Sequence, residues 1–172
     1  MTEKEPNVFL IGLMGAGKTT LGKLLAKRLH WTFYDSDHEI ETRTGVGIPT
    51  IFEIEGESGF RRRESQVIED ITTLRHIVLA TGGGVVLSAE NRERLRHNGL
   101  VVYLRVPPEL LYERVRHDRN RPLLQVPDPL QKLRELYDVR APLYEEVADF
   151  VIDCSKSGQS VTVQKILKEL SN

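Results

Sequence analysis

The sequence predicts a doubly wound α/β domain, a parallel sheet between layers of helices, and three observations carry that reading. Five short apolar runs show little alternation of apolar and polar residues, as strands buried on both faces do. Helical patterns separate those runs. The first run empties into a glycine-rich loop that opens a helix, and such sheets bind their ligands at the carboxyl ends of the strands.

The elements follow in order. Val8-Phe9-Leu10-Ile11 is the first strand, and residues 18–29 read as the first helix. Thr32-Phe33-Tyr34, Ile77-Val78-Leu79-Ala80, Leu100-Val101-Val102-Tyr103-Leu104 and Phe150-Val151-Ile152 supply four more strands. Helical patterns cover residues 59–74, 88–97, 108–117, 129–147 and 161–170. Two segments break the alternation. Residues 42–56 contain Gly45, Gly47, Pro49 and Gly56 and make a poor continuous helix, and residues 119–129 carry Pro122, Pro127 and Pro129. Both read as excursions over the ligand-binding edge of the sheet, where long loops are usually functional.

The chain has 172 residues, enough for one domain with a substantial core. With 24 Lys and Arg against 25 Asp and Glu, its net charge of −1 gives no bulk attraction to nucleic acid or to an anionic membrane. Its one cysteine, Cys154, excludes an intrachain disulfide and suits a reducing compartment. No apolar run reaches the length of a membrane span, and residues 1–7 lack the apolar stretch of a signal peptide. A soluble cytoplasmic protein is the expectation, and the absence of heptads together with the charge balance suggests a monomer.

Gly12-Leu13-Met14-Gly15-Ala16-Gly17-Lys18-Thr19 fits G-x-x-x-x-G-K-[ST], the phosphate-binding loop. Its glycines let the backbone wrap a phosphate, and its N–H groups form an anion nest at a helix start. Lys18 is expected on the β- and γ-phosphates and the Thr19 hydroxyl on Mg²⁺. Gly12, Gly15, Ala16, Gly17 and Thr20 complete the nucleotide-binding set.

Asp35 and Asp37 flank one serine after the second strand. A metal nucleotide needs a carboxylate near Mg²⁺, and transfer to a hydroxyl needs one to orient it and accept its proton. On an extended segment both side chains share a face and reach the crevice together. The plainer reading makes Asp35 a helix cap and leaves Asp37 solvated. Asp153, after the last strand, is a weaker metal candidate.

Gly82-Gly83-Gly84 follows the third strand in sequence, and three glycines exceed what a tight turn needs. Something must come close there, and bare N–H groups suit an anionic substrate. Arg61-Arg62-Arg63 opens a helix on which only one of the three faces the crevice well, the others being solvated or paired with a nearby Glu. Arg140 lies in Arg140-Ala141-Pro142-Leu143-Tyr144, where the proline is expected to kink or restart a helix. Guanidinium forks suit a carboxylate, although by spacing alone an ordinary surface arginine is the better reading of either Arg61 or Arg140. Arg121 lies in Arg121-Pro122-Leu123-Leu124, on a loop that could lay it on the transferring phosphate. Arg114 could contact nucleotide, whereas Arg116 and Arg119 read as solvated.

These ordered signatures, with Gly59-Phe60-Arg61, resemble the shikimate kinase family over nearly the whole chain. The resemblance implies a nucleoside-monophosphate-kinase-like phosphate-loop fold with a five-stranded parallel sheet. It implies one kinase domain over residues 1–172, with a substrate-binding segment at 36–63 and a lid at 119–129. The implied reaction moves the γ-phosphate of ATP to the 3-hydroxyl of shikimate, with Mg²⁺, on the route to chorismate. Lys18, Asp37 and Arg121 would be catalytic. Asp37, Arg61, Arg140 and the 82–84 backbone would bind the acceptor, and Thr19 and Asp35 the metal. Arg114 and the segment Asp153-Cys154-Ser155-Lys156-Ser157 would border adenine; that segment departs from the Asp-Thr start of many relatives. The rivals are a phosphate-loop kinase of another hydroxy acid, such as gluconate, and a nucleotide-dependent switch. The D-x-x-G and N-K-x-D elements of GTPase switches do not occur.

Overall fold

A computed structural model describes residues 6–118, 121–154 and 158–171. The elements run β1 (Asn7–Ile11), α1 (Lys18–Leu29), β2 (Thr32–Asp35), α2 (Ser36–Thr44), α3 (Ile48–Ile71), β3 (Ile77–Ala80), α4 (Ala89–Asn98), β4 (Leu100–Arg105), α5 (Pro108–Val115), α6 (Pro129–Val147), β5 (Phe150–Asp153) and α7 (Gln159–Leu170). Short 3₁₀ turns cover Val85–Leu87 and Pro122–Leu124.

All five strands pair in parallel, in the order β2-β3-β1-β4-β5. Helices α1 and α7 pack together on one side of the sheet, and α3, α4 and α6 on the other. The unalternated apolar runs are explained by this layering at the centre only. Strands β1 and β3 are wholly buried, but β2 and β5 are partly exposed because each has a neighbour on one side alone. Buried Asn7 stitches the amino end of the sheet. Its Nδ2 donates to Leu74 O (2.8 Å) and Asn98 O (2.9 Å), and its Oδ1 accepts from Ile77 N (3.2 Å).

The strands and most helices lie where the sequence puts them. Residues 42–56 differ. They are largely helical, because Gly45, Gly47 and Pro49 stand at helix ends, and only Gly56 interrupts the helical path. Gly45 (φ 75°) closes α2, Gly47 starts α3, Pro49 sits in its first turn, and Gly56 (φ 73°, ψ 179°) marks a kink within it. Pro142 likewise does not divide α6, which continues from Pro129 to Val147. Its ring lies on the exposed side, where a carbonyl that loses its helical partner can turn to water. Among the described residues no helix is long and apolar enough to cross a membrane.

Candidate active site

The loop after β1 needs its glycines. Gly12 (φ 148°) brings its α-carbon against β4, where a Cβ would stand 2.7 Å from Leu104 O. Gly15 (φ 84°) would meet Val115 Cγ1 at 2.7 Å, and Gly17 (φ 95°) starts α1 from the left-handed region. Lys18 is buried and folds back on its own loop, donating to Gly12 O and to Leu13 O (3.1 Å). Burial draws its pKa down to about 7; Asp37 pulls it upward and Arg121 downward.

Beside it, Thr19 Oγ1 donates to Asp35 Oδ2 at 2.6 Å. A hydroxyl and a carboxylate touching at the rim of a phosphate loop are a hard-oxygen donor set, which fits Mg²⁺. Ala16 and Thr20 stand with them in the wall of a cavity of about 680 Å³ that also takes in Asp37, Gly82 and Gly83. Arg114 donates to Gly15 O (2.9 Å) and Arg121 pairs with Asp118 (3.2 Å), both at this cavity. Cys154, partly buried after β5, shares its wall.

The two aspartates do not lie on one extended segment. Asp35 ends β2 and caps α2, its Oδ1 accepting from Asp37 N (3.0 Å) and His38 N (3.1 Å). Asp37 therefore belongs to the first turn of α2. The capping role and the place at the phosphate loop are held by one carboxylate, whose two oxygens divide the tasks. Asp37 is held above the usual carboxylate range, chiefly by burial and then by Asp35.

The glycine run is packed on every side. A Cβ on Gly82 would stand 2.6 Å from Asp37 Oδ1 and 2.9 Å from Glu64 Oε2, and one on Gly83 3.4 Å from Arg140 Nη1. One on Gly84 would overlap the Arg61 guanidinium. No residue of this run has positive φ, so close approach rather than backbone angle is what requires glycine. Gly82 N–H is not available to an anion, because it donates to Ser36 Oγ (2.9 Å). That leaves the amides of Gly83 and Gly84.

Arg61 pairs with Glu64 (3.0 Å) and Glu57 (3.2 Å), while Arg62 is exposed and Arg63 pairs with Glu55 (2.6 Å). One arginine of the three faces inward, as the helical turn requires. Glu64 is buried, and burial lifts its pKa to about 7 against the pull of Arg61. Arg140 is 3% exposed, and burial lowers its pKa. Asp37 Oδ1, Glu64 Oε2 and Arg61 Nε are buried with no hydrogen-bond partner. Each such orphan costs about 1–3 kcal/mol, a cost that polar groups of a ligand placed here would relieve.

A protein-family model described as "Shikimate kinase" matches residues 14–171. The chain belongs to the shikimate kinase family. It is 63% identical over 169 residues to the shikimate kinase of Dechloromonas aromatica, covering 98% of this chain and 92% of that protein. The solved structure of the Acinetobacter baumannii shikimate kinase in complex with shikimate superposes with a TM-score of 0.94 at 52% identity, covering 98% of this chain and 94% of that one. A gluconokinase from Sinorhizobium meliloti superposes at 0.58 with 15% identity, covering 99% and 94%, a likeness of fold alone.

Within this shikimate kinase fold the sequence-predicted residues gather in two groups. Lys18, Thr19, Asp35, Arg114 and Arg121 surround the phosphate loop, while Arg61 and Arg140 stand against Gly84 and Gly83 of the glycine run, beside Asp37. Arg116 is exposed, as expected. Arg119 and Ser155-Lys156-Ser157 lie outside the described residues. Sequence reasoning missed Glu64. Its signal was present, since Phe60, Glu64, Val67, Ile68 and Ile71 form one apolar helical stripe interrupted by a single carboxylate.

Proposed function

We propose that the protein transfers the γ-phosphoryl group of ATP to the 3-hydroxyl of shikimate, giving shikimate 3-phosphate and ADP, as a cytoplasmic monomer on the route to chorismate. One observation carries the acceptor assignment. Two arginines and two orphaned carboxylate oxygens crowd a glycine run beside the phosphate loop. A small acid with several hydroxyls matches that set, carboxylate to guanidinium and hydroxyl to carboxylate.

Lys18 leaves its loop carbonyls for the β- and γ-phosphates, and their charge compensates an ammonium that burial disfavours. Thr19 and Asp35 would hold Mg²⁺, which when bound supplies positive charge against the phosphates. Asp37 accepts a hydrogen bond from the 3-hydroxyl and takes its proton as the new O–P bond forms and the bond to ADP breaks. Its raised pKa suits that acceptance. Arg121 exchanges Asp118 for the transferring phosphoryl group. Arg61, Arg140 and the Gly83 and Gly84 amides hold the carboxylate, and Arg114 borders the nucleotide.

A coupled ADP-release assay with shikimate, gluconate or no acceptor tests the proposal. ADP release is expected to depend on shikimate and to be at background with the other two. Equal turnover of gluconate would move the enzyme to another acceptor, and equal release without acceptor would leave a nucleotide-dependent switch.

A further inference from the structure

Tyr144 lies one helical turn after Arg140 on α6, wholly buried, and neither the motif reading nor the reaction assigns its hydroxyl a task. That hydroxyl donates to Gly83 O. The Arg140 guanidinium borders the same glycine, its Nη1 3.4 Å from where a Cβ on Gly83 would stand, and its charge acts on the phenol. One phenol thus ties the helix that carries the guanidinium to the middle of the glycine run.

We propose that Tyr144 is a positioning residue for acceptor binding, fixing the Arg140 guanidinium and the Gly83–Gly84 peptide as one rigid carboxylate cradle. The inference rests on the carboxylate reading given above. Peptide planarity makes it specific. The carbonyl of Gly83 and the N–H of Gly84 share one plane and point in opposite directions. Anchoring that carbonyl on Tyr144 therefore directs the Gly84 N–H away from α6, at a residue whose α-carbon borders Arg61. Val85 N–H donates to Gly82 O (3.1 Å), so this peptide is the middle of a closed turn, and with glycine on both sides it can flip between the two turn types at little steric cost unless an anchor selects one. The ring itself is braced by Tyr103, 4.9 Å away between centroids and tilted by 35°. The Tyr103 phenol feels Tyr137 instead, so the two neighbouring phenols differ in their surroundings.

Tyr144→Phe keeps the ring and removes the anchor, and Tyr103→Phe serves as the matched control. KM for shikimate is expected to rise about tenfold in Tyr144→Phe, with KM for ATP within twofold of wild type and kcat reduced less than KM rises. Tyr103→Phe should leave KM for shikimate unchanged. Urea unfolding of each variant identifies conditions in which both are fully folded, and calorimetric titration with shikimate there gives the binding change directly. Shikimate carboxamide separates the levels of the argument. Wild type should discriminate strongly against the amide, Arg140→Ala weakly, and Tyr144→Phe in between. If wild type does not discriminate, the carboxylate reading fails and the positioning role with it. If wild type and Arg140→Ala behave as expected but Tyr144→Phe binds shikimate as wild type does, the positioning role alone is overturned. Equal rises in KM for shikimate and ATP, or an equal loss in Tyr103→Phe, would also overturn it by reducing Tyr144 to general packing.

Discussion

At the scale of single residues, Lys18 shows function set against stability. An ammonium whose pKa falls to about 7 is held at a cost of several kcal/mol, since each unit is about 1.4 kcal/mol. Its bonds to Gly12 O and Leu13 O offset part of that cost. Lys18→Met is therefore expected to abolish phosphoryl transfer, by roughly a hundredfold or more, while making the ligand-free protein more stable by about 1 kcal/mol or more. Thermal unfolding beside the ADP-release assay checks both signs, and a lower melting temperature would show that the loop carbonyls matter more than the buried charge. Glu64 shows why some residues escape sequence reading. Three positions after an arginine on a helix, it has the spacing of an ordinary surface pair. The pairing does not tell which side of α3 it occupies; only the apolar stripe that Glu64 interrupts does. Lys18, Asp35 and Asp37 were legible because a phosphate loop and a strand end announce their chemistry locally, without any need to know what packs above them.

At the scale of elements, α3 carries Arg61 and Glu64 beyond a kink at Gly56. Its angles there, φ 73° and ψ 179°, belong to a region essentially reserved for glycine, although a Cβ would meet no atom within 4 Å. Gly56→Ala is thus strained by its backbone and not by crowding. It should cost about 1–3 kcal/mol in urea unfolding and raise KM for shikimate more than KM for ATP. Gly45→Ala, at the end of α2 with φ 75°, should cost about 1 kcal/mol and leave both constants alone. Equal kinetic effects of the two variants would separate the kink from acceptor binding. This region was also where the sequence misled. Four punctuating residues in fifteen suggest a loop, whereas Gly45 and Gly47 delimit helices, Pro49 fits inside a first turn, and Gly56 is absorbed as a kink. The central strands were easier to read, because a fully buried strand writes its burial on both faces.

At the scale of the whole molecule, buried titratable groups of opposite charge give the ligand-free protein an unusual pH response. Glu64 binds its proton more tightly folded than unfolded, so its stabilising contribution is complete below about pH 4.5 and is lost as pH rises through about 7. Lys18 binds its proton less tightly when folded, so its contribution is complete above about pH 10.5 and is lost as pH falls through about 7. Their summed contribution is thus least favourable near neutrality. The stability of Glu64→Gln relative to wild type should therefore increase by on the order of 3 kcal/mol between pH 5 and 8. Urea midpoints across that range test it, and a flat difference would mean that Glu64 does not titrate there. The strand order has a consequence of another kind, for the route by which the chain folds. Strand β1 is made first, yet Val8 pairs only with Val78 and Leu100. Until those partners emerge, the most apolar stretch of the protein has nothing to pair with and must wait through the synthesis of half the chain. The phosphate loop hangs from that waiting strand, so a segment made ahead of both neighbours becomes able to recognise its ligand only after they arrive.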